Sequence, residues 1–411
     1  MPLRIRQEVQ ALPRSLCLRK RQPINRRHLL AGLTANAGLV LTAATAFAAN
    51  SPSHRKRLLA ANPKPVPPFT PIQTPAAAET LQVLISIRQQ SMQVFSGQRQ
   101  IGFSPISSGK PGKETPHGIF SVLRKHKFRW SNLYVNEPMP FMQRLTWSGI
   151  ALHAGELPGY PASHGCIRMP DEFAKQLFDL ETSDRHVIIA DTPAKPVGVA
   201  HAGLLKPASM VETRKYATLN PQPPLRVLLT RLTGREKTLN AQKILNKLGF
   251  GAGKPDGYVG RKTWRAIHNF QKSAELPANG VLNDATYHTL RSSNGAEDYP
   301  QGHLYVRQGY KPLFDIAIPL KNAEQPLGAH LLTLPEENGD RNKPHWLAVS
   351  LEDASSEAGL DAFLRFTIPD DVRNRIEYRL GPHSSVAISD TGLGPETGKG
   401  TDFIVVTKHY S

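Results

Sequence analysis

Cysteine is almost missing from this sequence. Of 411 residues only Cys17 and Cys166 carry a thiol, too few for the disulfide framework on which small exported domains rely. Acidic residues are also scarce: 33 Asp and Glu stand against 51 Lys and Arg, a net charge of +18. Residues 1–28 account for +7 of that excess, so a basic body of +11 remains without them. Such a balance suits nucleic acid, anionic lipid or an acidic polymer. Beyond Ser53 no stretch is long and apolar enough to cross a bilayer, which excludes a membrane span within the body.

The N-terminus narrows the choice of partner. Its basic stretch ends in Arg26-Arg27, and no charged residue follows from Leu29 through Ser53. Ala46-Phe47-Ala48 places small residues where a signal peptidase reads them, so residues 1–48 are expected to be an export signal. The Arg-Arg-His-Leu-Leu start is similar to a twin-arginine signal. An uncleaved anchor is the alternative, since the charge-free stretch is just long enough to span. Either route puts the body in the periplasm or at the cell wall, away from chromosomal DNA, so no nucleic-acid partner is expected. Cys17 leaves with the leader. Cys166 then stands alone in an oxidising compartment, where a thiol is either buried and inert or kept for chemistry.

The body divides by pattern. Residues 49–78 are a proline-rich linker. Over 79–191 the runs "LQVLISI", "QQSMQVFSG", "IGFSPISSG", "TPHGIFSVLRK", "TWSGIALHAG" and "HVIIA" predict strands, and "PDEFAKQLFDL" predicts a helix directly after the cysteine segment. Residues 192–235 read as a second linker. Residues 236–291 predict three helices joined by matching turns, Asp256-Gly257 before Thr263 and Asn279-Gly280 before Thr286, each turn ending at a polar N-cap. Trp264, Ile267 and Phe270 are assigned to its core. Residues 300–411 return to strands and are expected to repeat the first β domain. "IRQQSMQVF" (87–95) parallels "VRQGYKPLF" (306–314), and "TPHG" (115–118) parallels "QPLG" (325–328). A constant spacing then matches Trp147 with Trp346, Pro170-Asp171 with Pro369-Asp370, and Val187 and Ile189 with Val386 and Ile388. At that spacing His153 becomes Glu352, His164 becomes Phe363 and Cys166 becomes Arg365, a copy without its chemistry.

The segment "ASHGCIRMP" surrounds Cys166 with small and polar residues, poor company for a thiol that merely packs. A neighbouring imidazole promotes the thiolate, and both His153 and His164 are candidates. The amides of Gly165 and Cys166 can point at a substrate carbonyl as an oxyanion site, and the helix after Pro170 would add a weak positive end. His153, His164 and Cys166 as zinc ligands form the rival reading, without a supporting CxxC or HExxH spacing.

"HAGELPGYPASHGCIRMP", with the preceding "SSGKPGKETPHGIFSV" and "PMPFMQRLTWSGIALH", resembles the signature of the YkuD family of L,D-transpeptidases, a histidine followed by Ser/Thr-His-Gly-Cys-x-Arg/Asn. The resemblance implies a β-sandwich-like catalytic domain, Cys166 as nucleophile and His153 as general base. It also implies that Ser163, His164, Gly165 and Arg168 shape the loop and oxyanion site, and that the backbone oxygen of Ala154 orients the base. Residues 236–291 resemble the peptidoglycan-binding domain family through their leucines, Asp-Gly, Gly-x-x-Thr and Phe-Gln marks. The whole is then multidomain and mainly β: a YkuD-like sandwich, a three-helix peptidoglycan-binding module and a C-terminal β-rich domain. The implied partners are peptidoglycan stem peptides, a tetrapeptide donor and an amine acceptor, with a carbapenem as covalent inhibitor and no cofactor or metal. Alternatives in the same chemistry are stem-peptide hydrolysis and tethering of an outer-membrane protein. A non-catalytic wall-binding scaffold is the alternative of another class. Lys125, Lys127, Arg129 and Arg144 precede His153 and could place stem carboxylates, or be solvated surface charge.

Overall fold

The run "LQVLISI" forms β1 (Leu81–Ser86) in a computed structural model that describes residues 65–75, 79–131, 137–180, 185–207, 222–295, 300–335, 345–352, 357–398 and 400–408. The expected export signal, Cys17 and part of the first linker lie outside the described residues. All that is described belongs to one compact unit, Ala60–Ser411.

β1 carries apolar residues on both of its faces because both are buried. Val83 and Ile85 pack with Leu152, Ile167 and Phe173 on one side, while Leu84 packs with Leu228 and Leu331 on the other. Then follow β2 (Ser91–Ser96), β3 (Arg99–Pro105), β4 (His117–Ser121), β5 (Arg124–Trp130), β6 (Pro138–Arg144), β7 (Ala151–Ala154), β8 (Ile167–Met169), α1 (Asp171–Asp179) and β9 (His186–Ala190). β5 to β8 make a four-stranded sheet. With α1, whose Phe173, Ala174 and Leu177 are buried, that sheet covers one face of the larger sheet ordered β17-β4-β9-β1-β2-β3. Its first member, β17 (Val405–Lys408), comes from the end of the chain and pairs antiparallel with β4.

The second sheet is ordered β10-β15-β14-β16-β11-β12-β13. Its strands are β10 (Val197–Ala200), β11 (Leu225–Arg231), β12 (Gly302–Gln308), β13 (Lys311–Ile318), β14 (Ala329–Thr333), β15 (His345–Ser350) and β16 (Ser385–Ser389). Five of them reproduce the first sheet: β14-β16-β11-β12-β13 follows the order and directions of β4-β9-β1-β2-β3. The cross-sheet hydrogen bond from Arg168 N to Ser107 O has its counterpart from Thr367 N to Pro319 O, both 3.0 Å. α1 opens after Pro170 at φ −55°, ψ 145°, and its equivalent α6 (Asp370–Glu377) opens after Pro369 at φ −56°, ψ 146°.

Three expectations about the repeat need correction. The repeat does not start near residue 300: β11, within the stretch read as linker, is its central strand, and "LRVLLT" answers "LQVLIS" residue for residue. The hairpin match also slips by one strand, since β12 answers β2 and not β1. Val94 lies opposite Val83 as Val306 lies opposite Val227. Finally, "DFIVVT" leaves the tail and joins the first sheet, while β15 takes the corresponding edge beside β14. Alternation fixes which face a strand buries but says nothing of its neighbour.

The helical module is inserted between β11 and β12, where the first copy has only the short turn Ile87–Gln90. α2 (Gly234–Lys247) starts in a capping box between Thr233 and Glu236, followed by α3 (Arg261–Ser273) and α4 (Asp284–Ser293). The matching turns are each closed by a buried glutamine. Gln242 Nε2 donates to Asp256, Tyr258 and Thr263, and Gln271 Nε2 donates to Asn279, Val281 and Thr286. Only Asn283 caps its helix with a side chain after such a turn; α3 starts at Gly260 without one. Ile267 and Phe270 are core, but Trp264 is 46% exposed. Its ring lies over Gly280 and stacks on His268 because the bundle is too small to enclose it. A short helix, α5 (Ala358–Leu364), together with α6, covers the outer face of the second sheet.

Equivalent faces of the two sheets meet back to back through Leu84, Ile119 and Ile188 on one and Leu228, Leu331 and Ala387 on the other. Each large aliphatic side chain so buried contributes about 1.5–3 kcal/mol. A polar layer crosses the seam. Gln82 donates to Thr333 at 2.8 Å, and Arg226 forms a buried ion pair with Asp402 at 3.1 Å. Both ring nitrogens of His186 are buried there without a hydrogen-bond partner.

Candidate active site

β7 and β8 run parallel, pairing Leu152 with Ile167, His153 with Arg168 and Ala154 with Met169. Cys166 immediately precedes β8, so this pairing brings base candidate and thiol to neighbouring strands. The loop before the thiol is held by the "SSGKPGKET" segment. Lys110 N donates to Ser163 O, the amides of Ala162 and Ser163 donate to Ser108 O, and the Thr115 hydroxyl donates to Gly165 O. Gly165 sits at φ +113°, and a Cβ there would meet Ile150 Cδ1 at 2.9 Å, so no other residue turns the chain at this point.

The thiol is half-buried and faces the Gly149 carbonyl at 3.6 Å, while the Ala151 main chain hydrogen-bonds to the sulfur. Burial pushes the Cys166 pKa up to about 11, and Glu137 adds to the rise; the Ala151 bond, Arg168 and Arg144 pull it back. His153 is buried, with Nδ1 2.7 Å from Ala154 O. A carbonyl only accepts, so Nδ1 carries the proton and Nε2 is left as the basic nitrogen. Burial holds this imidazole below its ordinary 6.5; the Ala154 bond opposes that, Arg168 supports it and Glu137 opposes it. At neutral pH both groups are therefore uncharged at rest. The physical reason is desolvation.

His153, Ser163, His164, Cys166 and Arg168 line one cleft of about 450 Å³, together with Glu137, Met139 and the Ser148–Ile150 turn. The oxyanion assignment changes. The Gly165 amide is spent on the Ser163 hydroxyl at 3.1 Å, and that hydroxyl donates to the Cys166 carbonyl. The Gly165 amide thus builds the loop rather than facing a substrate, while Ser163 both braces the loop and lines the cleft. Arg168 forms an ion pair with Glu137, a residue without any motif to announce it. Residues of α1 do not line the cleft.

Of the four cations before His153, only Arg144 acts on Cys166. Lys125 instead donates to the Phe178 and Leu180 carbonyls at the end of α1. Among the described residues no group of three or more His, Cys, Asp or Glu gathers as a metal site, which leaves the zinc reading without a ligand cluster. In the second copy Arg365 stands where Cys166 does in the first, and its guanidinium donates to the carbonyls of Lys321, Gln325 and Pro326. A larger cavity of about 580 Å³ lies between α4 and the second copy, and its lining contains no cysteine.

Comparison with known proteins gives two family matches. The model of the YkuD L,D-transpeptidase catalytic domain matches residues 81–189, and that of the peptidoglycan binding domain matches residues 234–290. No curated protein matches the chain. Similar solved structures include the LD transpeptidase LdtMt1 in complex with imipenem, at 24% identity and a TM-score of 0.26, covering 27% of this chain and 59% of that one. An L,D-transpeptidase from Mycobacterium tuberculosis has 23% identity and a TM-score of 0.25, covering 27% and 57%. One from Xylanimonas cellulosilytica has 24% identity and a TM-score of 0.25, covering 28% and 63%. The chain thus spans about three-fifths of the length of these relatives.

Proposed function

We propose that this chain, which carries a YkuD domain and a peptidoglycan-binding module, is an exported L,D-transpeptidase that forms 3→3 cross-links in the wall. The observation that carries the reading is the shared cleft of Cys166 and His153, with Nδ1 of the imidazole fixed on the Ala154 carbonyl and Nε2 left basic. As Cys166 attacks the carbonyl between the third stem residue and the terminal D-Ala, His153 Nε2 takes the thiol proton. The C–N bond breaks, the departing D-Ala amine takes that proton, and a thioester remains. The side-chain amine of a second stem then attacks the thioester. Its surplus proton passes through His153 to the sulfur, restoring the thiol and leaving the new amide.

Coupled transfer suits a pair that is neutral at rest, because neither the thiol nor the imidazole then has to hold a desolvated charge before substrate binds. The leader supports action outside the cytoplasm, and the helical module supports retention at the wall. Incubation of the purified chain with disaccharide-tetrapeptide tests the proposal, with the products weighed by mass spectrometry. Dimers that have lost D-Ala are expected, and none with Cys166→Ala. Tripeptide alone would mean hydrolysis, and unchanged substrate would leave a wall-binding scaffold. Imipenem is expected to add its mass to Cys166 and to nothing in Cys166→Ala.

A further inference from the structure

The turn Thr146–Ile150 forms one wall of the cleft, and every amide from Trp147 to Ile150 is engaged. Thr146 Oγ1 accepts from Gly149 at 3.2 Å and from Ile150 at 2.9 Å. The Glu396 carboxylate accepts from Trp147 at 2.8 Å and from Ser148 at 3.1 Å. With its amides so directed, the turn presents the Gly149 carbonyl to the Cys166 thiol.

Glu396 belongs to the second copy, in the loop between β16 and β17, and is itself held. The Thr401 hydroxyl donates to the Glu396 carbonyl at 3.3 Å, and the next residue, Thr397, accepts from Ile404 N at 3.1 Å. Its carboxylate also acts on Arg144, the one of the four cations named above that acts on Cys166. The second copy has lost the cysteine and histidines of the first, yet it reaches that cleft from outside the family match at 81–189.

We propose that Glu396 is a positioning residue for the Cys166 reaction: it fixes the wall of the cleft and the partner of the thiol, which makes the second copy part of the catalytic apparatus. The inference rests on Cys166 being the nucleophile.

The test uses the full chain with Glu396→Ala, Glu396→Gln and a control, Glu377→Ala. Glu377 is a second-copy carboxylate that pairs with Arg373 and accepts from Lys206 N, and it does not line the cleft. Two rates are read: alkylation of Cys166 by iodoacetamide, which needs no wall substrate, and acyl transfer with kcat and KM separated. Because small misplacements near reacting atoms cost up to about a hundredfold, Glu396→Ala is expected to change the alkylation rate about threefold or more. It should also lower kcat about tenfold with little change in KM. Glu396→Gln keeps one acceptor oxygen and recovers part of both, while Glu377→Ala alters the melting temperature only.

A folded Glu396→Ala with both rates within about twofold of the parent overturns the proposal, as does an equal loss in Glu377→Ala. Should the alanine variant not fold, Glu396→Gln decides in the same assays, and parental rates there overturn the proposal. A parent chain that alkylates but never transfers an acyl group refutes the transferase reading, and the alkylation comparison still decides the role of Glu396.

Discussion

The thiol of Cys166 and the imidazole of His153 are both kept neutral by the protein that surrounds them, and the consequences are measurable. The thiolate is the reactive form toward alkylating agents, and burial raises the thiol to about 11. Alkylation of Cys166 should therefore climb with pH and show no plateau at the ordinary 9.0; a plateau there would contradict the resting state described. His153 is held below 6.5, so its basic form already dominates at that pH. The acid limb of kcat/KM should fall below 6.5, and His153→Ala should lower kcat about 10²–10⁴-fold. A variant retaining a tenth of the parent rate would point to another base. The cysteine and the turn of its loop could be read from the sequence because "SHGC" is a local device. Glu137, Gly149 and Ala151 could not, since Glu137 reaches the cleft, and Gly149 and Ala151 the sulfur, only after β6, β7 and β8 pair.

At the scale of single elements, the contact between β4 and β17 is the most demanding. Gly118 has φ +152°, and a Cβ there would lie 1.9 Å from the Val405 carbonyl. Gly118→Ala should push β17 from the edge of the first sheet and withdraw Ile404 and Val406 from its core. Overpacking of this kind costs about 1–3 kcal/mol, and a fall in the midpoint of denaturant unfolding measures it. An unchanged midpoint would show that β17 does not depend on this close approach. "TPHGIFSV" announces a strand through its apolar residues. That its partner arrives from the end of the chain is a long-range pairing, which no local pattern encodes.

At the scale of the whole molecule, two copies of one five-strand arrangement share an interface, and a histidine is sealed inside it. Burial holds His186 well below 6.5, and Arg226 adds to the effect. In the unfolded chain His186 protonates as the pH drops through 6.5, whereas in the folded chain it stays neutral. The unfolded state then binds more protons, and stability falls as the pH is lowered from 7 toward 5. The slope approaches about 1.4 kcal/mol per pH unit for each such group. His153, lowered in the same direction, contributes likewise. His186→Leu should flatten the dependence of the melting temperature on pH in that window. A slope identical to the parent's would show that protonation of His186 plays no part.

Local facts were legible in the sequence alone: that most of the apolar runs become strands or helices, where the "SHGC" loop turns, and that the histidines and cysteine of the first copy are replaced in the second. These follow from side-chain period, turn chemistry and residue identity, all of which act over a few positions. Tertiary structure alone decided the rest: that "LRVLLT" is a central strand rather than a linker, that the last strand closes the first sheet, and that Glu396 reaches the turn beside Cys166. Those outcomes depend on which apolar faces meet, and many pairings bury a given face about equally well until the whole chain is packed.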